Sequence, residues 1–398
     1  MKRLAVVGLV ALAALPLFNA GAAIPETGAV AKGAAFIISN FSADGSYGGP
    51  SAGENFDGIY AIRAAGFDPA KDVAASGASP VGYLEANAAA QTKPAEAAKA
   101  ALAAKALGID PTAVQGTNLI AAINAGFDPA KGTYAADDFS QSIAMLGLAC
   151  TGNTVPALAV TELKSTQLAD GGWGFGGSSD PDTTAIATQA LLAAGVPNTD
   201  VAITNAVAWF KTNQLPDGGW GFAPASNTSS TAYVVQALVA AGQSLNIPQY
   251  VQAGASPVSY LLSQQDADGS FKGYDALYAT FQVLPALAGR TFCNAAATPI
   301  TQPAPAGPLA AKPVVTPTPT TTPSATPPAT ASPTVSVTPA GPSPSSTPPA
   351  SSPTAAPRPP STGSGSEPGG APLSTILVGM ALLLATAAAA AVSLRHER

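Results

Sequence analysis

The chain has 398 residues, with 39 Gly, 38 Pro and a net charge of −6, and only 10% of its residues are charged. Residues 24–298 hold 11 basic and 21 acidic side chains, and the single histidine, His396, lies outside that region. An acidic region without a basic stripe excludes phosphate-driven binding of nucleic acid. The lack of histidine excludes most histidine catalysis and most zinc sites. We therefore expect no metal, no cofactor and no nucleic-acid partner.

Residues 1–23 have the pattern of a secretory signal peptide. Lys2 and Arg3 precede an apolar run from Leu4 to Phe18, and small residues follow around Ala20–Ala23. This order of a basic start, an apolar segment and a small-residue cleavage site is typical of export signals. We expect residues 24–298 to be the folded domain of an exported protein.

A turn motif repeats through residues 24–298. The nine residues Gln167–Phe175 (QLADGGWGF) and Gln214–Phe222 (QLPDGGWGF) match closely, and Gln265–Phe271 keeps the pattern with Phe in place of Trp. Weaker copies occur at Ala43–Tyr47 and Lys131–Tyr134, and a degraded one near Thr92. The intervals predict six repeats of about 45 residues, and a fixed period of this length is typical of repeat architectures.

Each repeat has a helical pattern before the turn and a second one after it. The second helices are predicted to start near Thr183, Thr231 and Tyr274, with Asp182, Ser229 or Ser230 as N-caps. Six helical hairpins predict an all-α fold, an α6/α6 toroid with one inner and one outer helix per repeat. An open solenoid is the alternative architecture.

The motif Trp209-Phe210, Gln214 and Gly218-Gly219-Trp220 resembles the glutamine–tryptophan repeat of squalene and related terpenoid cyclases. The same repeat recurs in degenerate form in protein prenyltransferase β subunits. The resemblance covers about residues 30–292 and implies an α6/α6 toroid. Prenyltransferase chemistry needs a zinc ligand set that includes histidine, which residues 24–298 lack.

The resemblance also implies where a catalytic acid would lie. The cyclases use an Asp-any-Asp-Asp motif to protonate an alkene, and the nearest match is Asp180-Pro181-Asp182-Thr183, in which Thr183 replaces the last Asp. Asp182 aligns with the proton donor, but it also fits the N-cap of the following helix. The weak catalytic candidates are Asp170, Asp182 and Asp217.

Four aromatic residues are candidates for ligand binding. Trp173 and Trp220 lie in the repeated turns, and Tyr233 and Tyr278 lie on second helices. Core packing is the alternative role for all four.

Cys150 and Cys293 are the only cysteines, and an even pair in an exported domain suggests a disulfide. Repeats 3 and 6 would lie opposite each other in a ring, so the segment after Arg290 would have to cross one face to reach Cys150. Two separate thiols are the alternative.

The C-terminal quarter predicts a tether and an anchor. Residues 299–372 hold 22 of the 38 prolines, and this composition predicts a disordered Pro/Thr/Ser-rich stalk. Residues 373–394 carry no charge, are long enough to cross a bilayer, and precede the basic tail 395–398, which suits a cytoplasmic end. We expect the domain to face outward on a single-pass transmembrane helix.

Ahead of this helix, Pro359-Pro360-Ser361-Thr362-Gly363 resembles the sorting signal of sortase substrates, with Pro359 where that signal has Leu. If sortase acts here, the domain is joined to the cell wall and the helix is lost. A plain membrane anchor is the alternative.

The sequence thus predicts a surface-displayed cyclase-like repeat domain that serves as a binding or adhesion module. Its partner would be a glycan, an apolar ligand or a protein. The alternative is an extracellular enzyme, either terpenoid-cyclase-like or a polysaccharide-degrading α/α barrel with paired carboxylates.

Overall fold

A computed structural model of the chain describes residues 24–222, 224–245 and 248–314. The predicted signal peptide, the sortase-like motif, the transmembrane segment and most of the stalk lie outside these residues. Within the described ranges, no helix is both long and apolar enough to cross a membrane.

The described residues form twelve α-helices in six hairpins. The first helices of the hairpins are α1 (Thr27–Ser39), α3 (Pro80–Ala88), α5 (Leu119–Ala125), α7 (Ala157–Ser165), α9 (Val201–Asn213) and α11 (Pro257–Ser263). The second helices are α2 (Ala52–Ala64), α4 (Pro94–Ala106), α6 (Asp138–Cys150), α8 (Pro181–Ala193), α10 (Thr228–Ala240) and α12 (Ala276–Leu287). A small hairpin of β1 (Gly174–Phe175) and β2 (Ser178–Ser179) precedes α8.

The second helices form a closed inner ring. Each packs on the next in chain order, and α12 packs on α2. The first helices lie outside them, so the architecture is a toroid of paired inner and outer helices and not an open solenoid. The all-α prediction is confirmed.

Small residues allow the inner helices to lie close together. Ten of the thirteen residues of α4 are buried, and most of them are alanine. A Cβ added at Gly147 of α6 would lie only 2.4 Å from the Cβ of Ala98 of α4. The high alanine content is therefore a packing requirement of a ring whose inner helices have neighbours on both sides.

Each predicted turn lies between an outer helix and the following inner helix, but the predicted N-caps are wrong. Asp180, not Asp182, caps α8 by accepting a hydrogen bond from the Thr183 N–H, and Asn227 caps α10. α8 starts two residues earlier than predicted, because Pro181 is well tolerated in the first turn, and α10 starts three residues earlier, at Thr228. Asp182 therefore lies inside the helix.

Glutamine side chains tie each of the last three repeats to the next one. Gln214 Nε2 donates to the carbonyl of Gly218 in its own turn at 2.8 Å and to the carbonyl of Tyr250 in the following repeat at 3.0 Å. Gln167 does the same with Gly171 and Ala202. Gln265 joins Gly269 to Ala29 of the first repeat, so the tie also closes the ring.

The C-terminal segment after α12 crosses the end of the ring opposite to the turns. Phe292 stacks on Tyr60 of α2 with ring centroids 5.2 Å apart, and Cys293 forms a disulfide with Cys150 at the end of α6. The segment thus follows the crossing route that the sequence required for this pairing.

The folded domain extends beyond the predicted boundary at residue 298. The Leu309 N–H donates to the Val73 carbonyl, and the Lys312 N–H donates to the Phe41 carbonyl, both at 2.8 Å. Residues 299–314 therefore lie against the first two repeats, which corrects the prediction that the stalk is disordered from Pro299. Although this segment is rich in proline, the backbone hydrogen bonds of Leu309 and Lys312 hold it against the domain.

Loss of the disulfide should destabilise the domain. A Cys150→Ser/Cys293→Ser variant is expected to lose about 4 kcal/mol of unfolding free energy, because the crosslink closes a loop of more than a hundred residues in the unfolded chain. Urea unfolding measures the difference, and thiol titration of the unreduced chain should find no free thiol. Two titratable thiols would contradict the pairing.

The glutamine tie should also stabilise the ring. Gln214→Leu removes a buried donor and leaves the Gly218 and Tyr250 carbonyls without it, so a loss of about 1–3 kcal/mol is expected. Gln264→Leu is the control, because Gln264 Nε2 bonds only its exposed neighbour Ser263. Equal unfolding free energies for the two variants would show that the tie does not stabilise the ring.

Candidate functional site

The centre of the ring is lined by one polar or aromatic residue from each inner helix. Phe139 of α6 meets Tyr233 of α10 edge-on, with centroids 6.4 Å apart, although α8 lies between these helices in the ring. Such a contact is made only across the lumen. One residue of each inner helix belongs to this cluster, as their electrostatic and ring contacts show: Asp57, Lys99, Phe139, Asp182, Tyr233 and Tyr278.

Asp57 and Lys99 form a buried ion pair in this lumen. Lys99 Nζ lies 2.7 Å from Asp57 Oδ2, and Gln282 Nε2 of α12 donates to the same oxygen at 3.3 Å. Burial by itself lowers the pKa of the Lys99 ammonium, but the facing Asp57 carboxylate outweighs this, so the pKa is raised. Three inner helices are therefore joined by one charged contact.

Tyr233 and Tyr278, two of the predicted ligand residues, bond to each other between the neighbouring inner helices α10 and α12. Their hydroxyl oxygens are 3.1 Å apart. Burial raises the pKa of Tyr278 to about 12 and raises that of Tyr233 as well, so both groups are neutral hydroxyls at physiological pH. Together with the ion pair, these hydroxyls occupy the lumen.

Asp182 is a buried acid at the mouth of the lumen, in the first turn of its helix. It is 7% exposed, and Oδ1 has no hydrogen-bond partner among the described residues. Burial raises the pKa of Asp182 to about 7, and the charge of nearby Asp180 adds to this. The Ser230 hydroxyl opposes the rise, although Ser230 Oγ makes no hydrogen bond of ordinary geometry. Asp182 is thus partly protonated near neutral pH, as a proton donor must be.

The other two candidate acids, Asp170 and Asp217, stabilise turns. Asp170 accepts hydrogen bonds from the Ser179 hydroxyl at 2.6 Å and from the Trp209 indole of the next repeat at 3.0 Å. Partial burial opposes ionisation of Asp170, but these bonds outweigh it and lower its pKa. Asp217 accepts from Ser226 in the same way. Both side chains are used in turns and neither contacts Asp182, so among the described residues the structure brings no pair of candidate acids together.

The two tryptophans proposed as ligand platforms are packed inside the protein. Trp173 is fully buried and its indole N–H donates to the Leu163 carbonyl at 2.7 Å. Trp220 is 1% exposed and donates to the Phe210 carbonyl at 2.8 Å. A ring with no exposed face cannot stack on a ligand, which corrects this assignment. The motif instead exposes the Phe two residues later, at Phe175 and Phe222.

An open cleft lies outside the lumen, between the turn of repeat 3 and the β1–β2 hairpin of repeat 4. It has a volume of about 590 Å³ and is walled by polar residues and glycines. The charged residues at its walls are Asp128, Lys131, Asp137, Asp138 and Glu162. This cleft is an accessible cavity lined by residues of repeats 3 and 4.

No group of three or more Asp, Glu, His or Cys side chains within the described residues is arranged to hold a metal ion.

Sequence reasoning missed the lumen pair and the cleft. Asp57 and Lys99 each occupy the sixth residue of their inner helix, so aligning the degenerate repeats 1 and 2 would have paired them. The cleft had no comparable signal, because its walls come from three separate loops and helices.

Comparison with known proteins supports the fold. Residues 120–281 match the family model of the squalene-hopene cyclase C-terminal domain. Among solved structures, a variant of the type II terpene cyclase MstE from Scytonema, bound to its substrate geranylgeranyl dihydroxybenzoate, is similar with a TM-score of 0.52 and 15% identity. The similarity covers 68% of this chain and 97% of that one.

Two further structures are more distant. ent-Copalyl diphosphate synthase from Streptomyces platensis has a TM-score of 0.42 and 20% identity, over 59% of this chain and 50% of that one. A glycosidase variant in complex with glucose has a TM-score of 0.41 and 13% identity, over 66% of this chain and 95% of that one. Among curated protein sequences, none matches this chain significantly.

Ionisation of Asp182 should reduce stability as the pH rises. The folded state keeps a proton up to about pH 7, whereas the unfolded state releases it near pH 4, so unfolding free energy falls between these values. Asn cannot ionise, so wild type should lose up to about 4 kcal/mol relative to Asp182→Asn between pH 4 and pH 8. Urea unfolding at several pH values measures this.

Asp268→Asn is the control for this measurement. Hydrogen bonds from the Ser270 hydroxyl and backbone N–H lower the pKa of exposed Asp268, so its replacement should not reproduce the effect. A constant difference between wild type and Asp182→Asn over the whole pH range would show that Asp182 titrates normally.

Proposed function

We propose that the repeat domain is a member of the terpenoid cyclase superfamily that binds a ligand and does not cyclise one, as supported by the family-model match of residues 120–281 and the shared fold. In this proposal the protein is an exported binding or adhesion module displayed at the cell surface.

The observation that carries the proposal is the buried ion pair between the neighbouring inner helices α2 and α4. The Scytonema cyclase is named for a complex with a geranylgeranyl substrate. An equivalent apolar chain inside this ring would have to lie against Lys99 and Asp57 or separate them, and their charged atoms are 2.7 Å apart and buried. Breaking a buried pair leaves an uncompensated charge and costs about 3–5 kcal/mol. An apolar prenyl chain offers no group that replaces the lost contact.

The tyrosine pair strengthens this argument. Tyr233 and Tyr278 bond to each other, and Tyr233 also contacts Phe139. A ligand that entered from the mouth past Asp182 would have to displace these side chains as well. Binding of ligands at the outer cleft requires no such rearrangement, since that cavity is already open.

Surface display is supported by the sequence. The signal-peptide pattern of residues 1–23, the proline-rich residues 299–372 and the uncharged residues 373–394 together fit an exported domain on a stalk. In the proposal, a transmembrane helix at 373–394 or a wall attachment at Thr362 holds the protein, and the stalk sets its distance from the membrane.

A second candidate function is acid catalysis at the mouth of the lumen, and Asp182 favours it. A carboxyl group with a pKa of about 7 and an unpartnered oxygen is a competent proton donor at neutral pH. Asp180, the first acid of the degenerate motif, argues against it. Its two carboxylate oxygens accept hydrogen bonds from the Thr183 N–H and hydroxyl, so this acid is already used in capping α8.

The two candidates make opposite predictions for prenyl substrates. The full chain is incubated with squalene and with geranylgeranyl dihydroxybenzoate, and loss of alkene signals is followed by proton NMR. Binding without chemistry predicts no loss. The enzymatic proposal would replace the binding proposal if wild type and Asp268→Asn consume the alkene signals and Asp182→Asn does not.

The binding role itself is tested by thermal shift on the full chain, with wall glycans and prenoid lipids as the panel. A ligand that binds only the folded state raises Tm by mass action. At least one member is expected to raise Tm. A panel without effect would contradict the binding role for these ligand classes.

A further inference from the structure

We propose that the cleft between repeats 3 and 4 binds an organic ammonium group, held by Glu162 and Asp138 and covered by the ring of Phe175. This inference rests on the binding function proposed above and names its ligand class.

The cleft has an excess of negative charge that the protein does not neutralise. Of its charged residues, Lys131 is already paired with Asp128, with Nζ 3.1 Å from Oδ2. The ion pairs of the described residues include none with Asp137, Asp138 or Glu162. Three carboxylates of the described cleft walls therefore face a cavity of about 590 Å³ without a cation.

Two of these carboxylates lie in an unfavourable setting. Glu162 Oε2 is buried and has no hydrogen-bond partner among the described residues. Burial raises the pKa of Glu162, and the charge of Asp138 raises it further. Burial likewise raises the pKa of Asp138, against a hydrogen bond from the Thr166 hydroxyl at 2.8 Å. A cation between the two groups would relieve both the desolvation and the repulsion.

Phe175 supplies an aromatic face at the same cleft. It lies on the β1–β2 hairpin between Gly174 and Gly176, both of which also line the cavity, and it is 56% exposed. Cations are attracted to the face of an aromatic ring by its quadrupole. The protein thus exposes a large apolar side chain beside unpaired carboxylates, which is the combination that recognises an alkylated or primary ammonium.

An unpartnered buried donor adds a second feature of a binding site. Tyr134 lines the cleft, is 5% exposed, and its hydroxyl has no hydrogen-bond partner within the described residues. Neutral ligands would satisfy such a hydroxyl but would leave the carboxylates uncompensated. A bare metal ion is not supported, since no metal-ligand cluster occurs among these residues. An organic cation satisfies the charges and the aromatic face together.

The experiment measures binding of three ammonium probes to the full chain by isothermal titration calorimetry at low ionic strength. The probes are tetramethylammonium, the tripeptide Ala-Lys-Ala and glucosamine, and N-acetylglucosamine is the uncharged partner of the last. We expect the amines to bind and the affinity to fall with added salt. The tripeptide and the amino sugar distinguish a basic peptide from an aminoglycan as the source of the ammonium group.

Matched variants locate the site. Glu162→Gln should weaken binding about tenfold, because it removes the unpartnered charge. Phe175→Leu keeps an apolar side chain but removes the ring face, and should weaken binding about threefold. Phe222→Leu is the control, because Phe222 is the corresponding exposed residue of the next repeat and does not line the cleft. Unchanged melting temperatures show that the variants are folded.

Three results would overturn the inference. They are absence of binding by all three amines, equal binding of N-acetylglucosamine and glucosamine, or affinities that Glu162→Gln and Phe175→Leu leave unchanged. Each of these leaves the non-catalytic binding role standing, since another ligand can occupy the cleft. Conversely, prenyl turnover in the alkene assay would remove the binding role without deciding whether the cleft takes amines.

Discussion

The ring depends on a contact that five of the six turns make with the outer helix of the following repeat. Gly218 has a positive φ, and a Cβ at this position would lie 2.7 Å from the Ser256 carbonyl oxygen at the start of α11. Gly269 makes the corresponding approach to Lys32 of α1, where a Cβ would lie 2.3 Å from the carbonyl oxygen. Only glycine allows both the turn conformation and this distance. Because the sixth turn meets the first outer helix in the same way, the interaction that joins neighbours also closes the circle.

This contact determines which residues of the motif are free to act. The glutamine, the acid and the tryptophan of each strong repeat are used in turn and helix contacts, as in Gln167, Asp170 and Trp173. What remains available is the Phe after the tryptophan, which projects from the turn at Phe175. The part of the motif that looks most like a ligand platform is therefore structural, and the less conspicuous residue beside it is accessible.

Much of the fold could be predicted from the sequence because the same turn contacts recur in successive repeats. The positive φ of Gly45, Gly132, Gly171, Gly218 and Gly269 is visible in the sequence as a glycine at a constant place in five of the six hairpins. The start of α8 was predicted less well. Asp180 and Asp182 are both acceptable caps, and only the backbone bond from the Thr183 N–H to the Asp180 carboxylate decides between them. Because Asp180 is the cap, Asp182 lies inside the first turn of α8, where its side chain is buried.

The site depended on contacts with no local pattern. Lys99 looks like an ordinary exposed residue of an alanine-rich helix, and its partner Asp57 lies 42 residues earlier. The stalk boundary was equally hidden, because Leu309 and Lys312 bond through their backbone and composition says nothing about backbone pairing. In such long-range pairs neither partner has its neighbour until the ring has formed, so no local sequence pattern reveals the contact.

The distribution of charge separates the interior of the ring from its outer cleft. Inside, the one basic residue of the lumen contacts is paired with an acid, and Asp182, which has no such partner, holds a proton near neutral pH. Burying an ionised carboxylate without a partner is energetically unfavourable, so the protonated form of Asp182 is favoured. At the cleft, Asp137, Asp138 and Glu162 line an open cavity and form no ion pair among the described residues. Basic residues are scarce in this domain, which excludes a nucleic-acid partner. The same scarcity leaves the cleft with a net negative charge, whereas the charges of the lumen cancel. A positively charged ligand finds its complement only at the cleft.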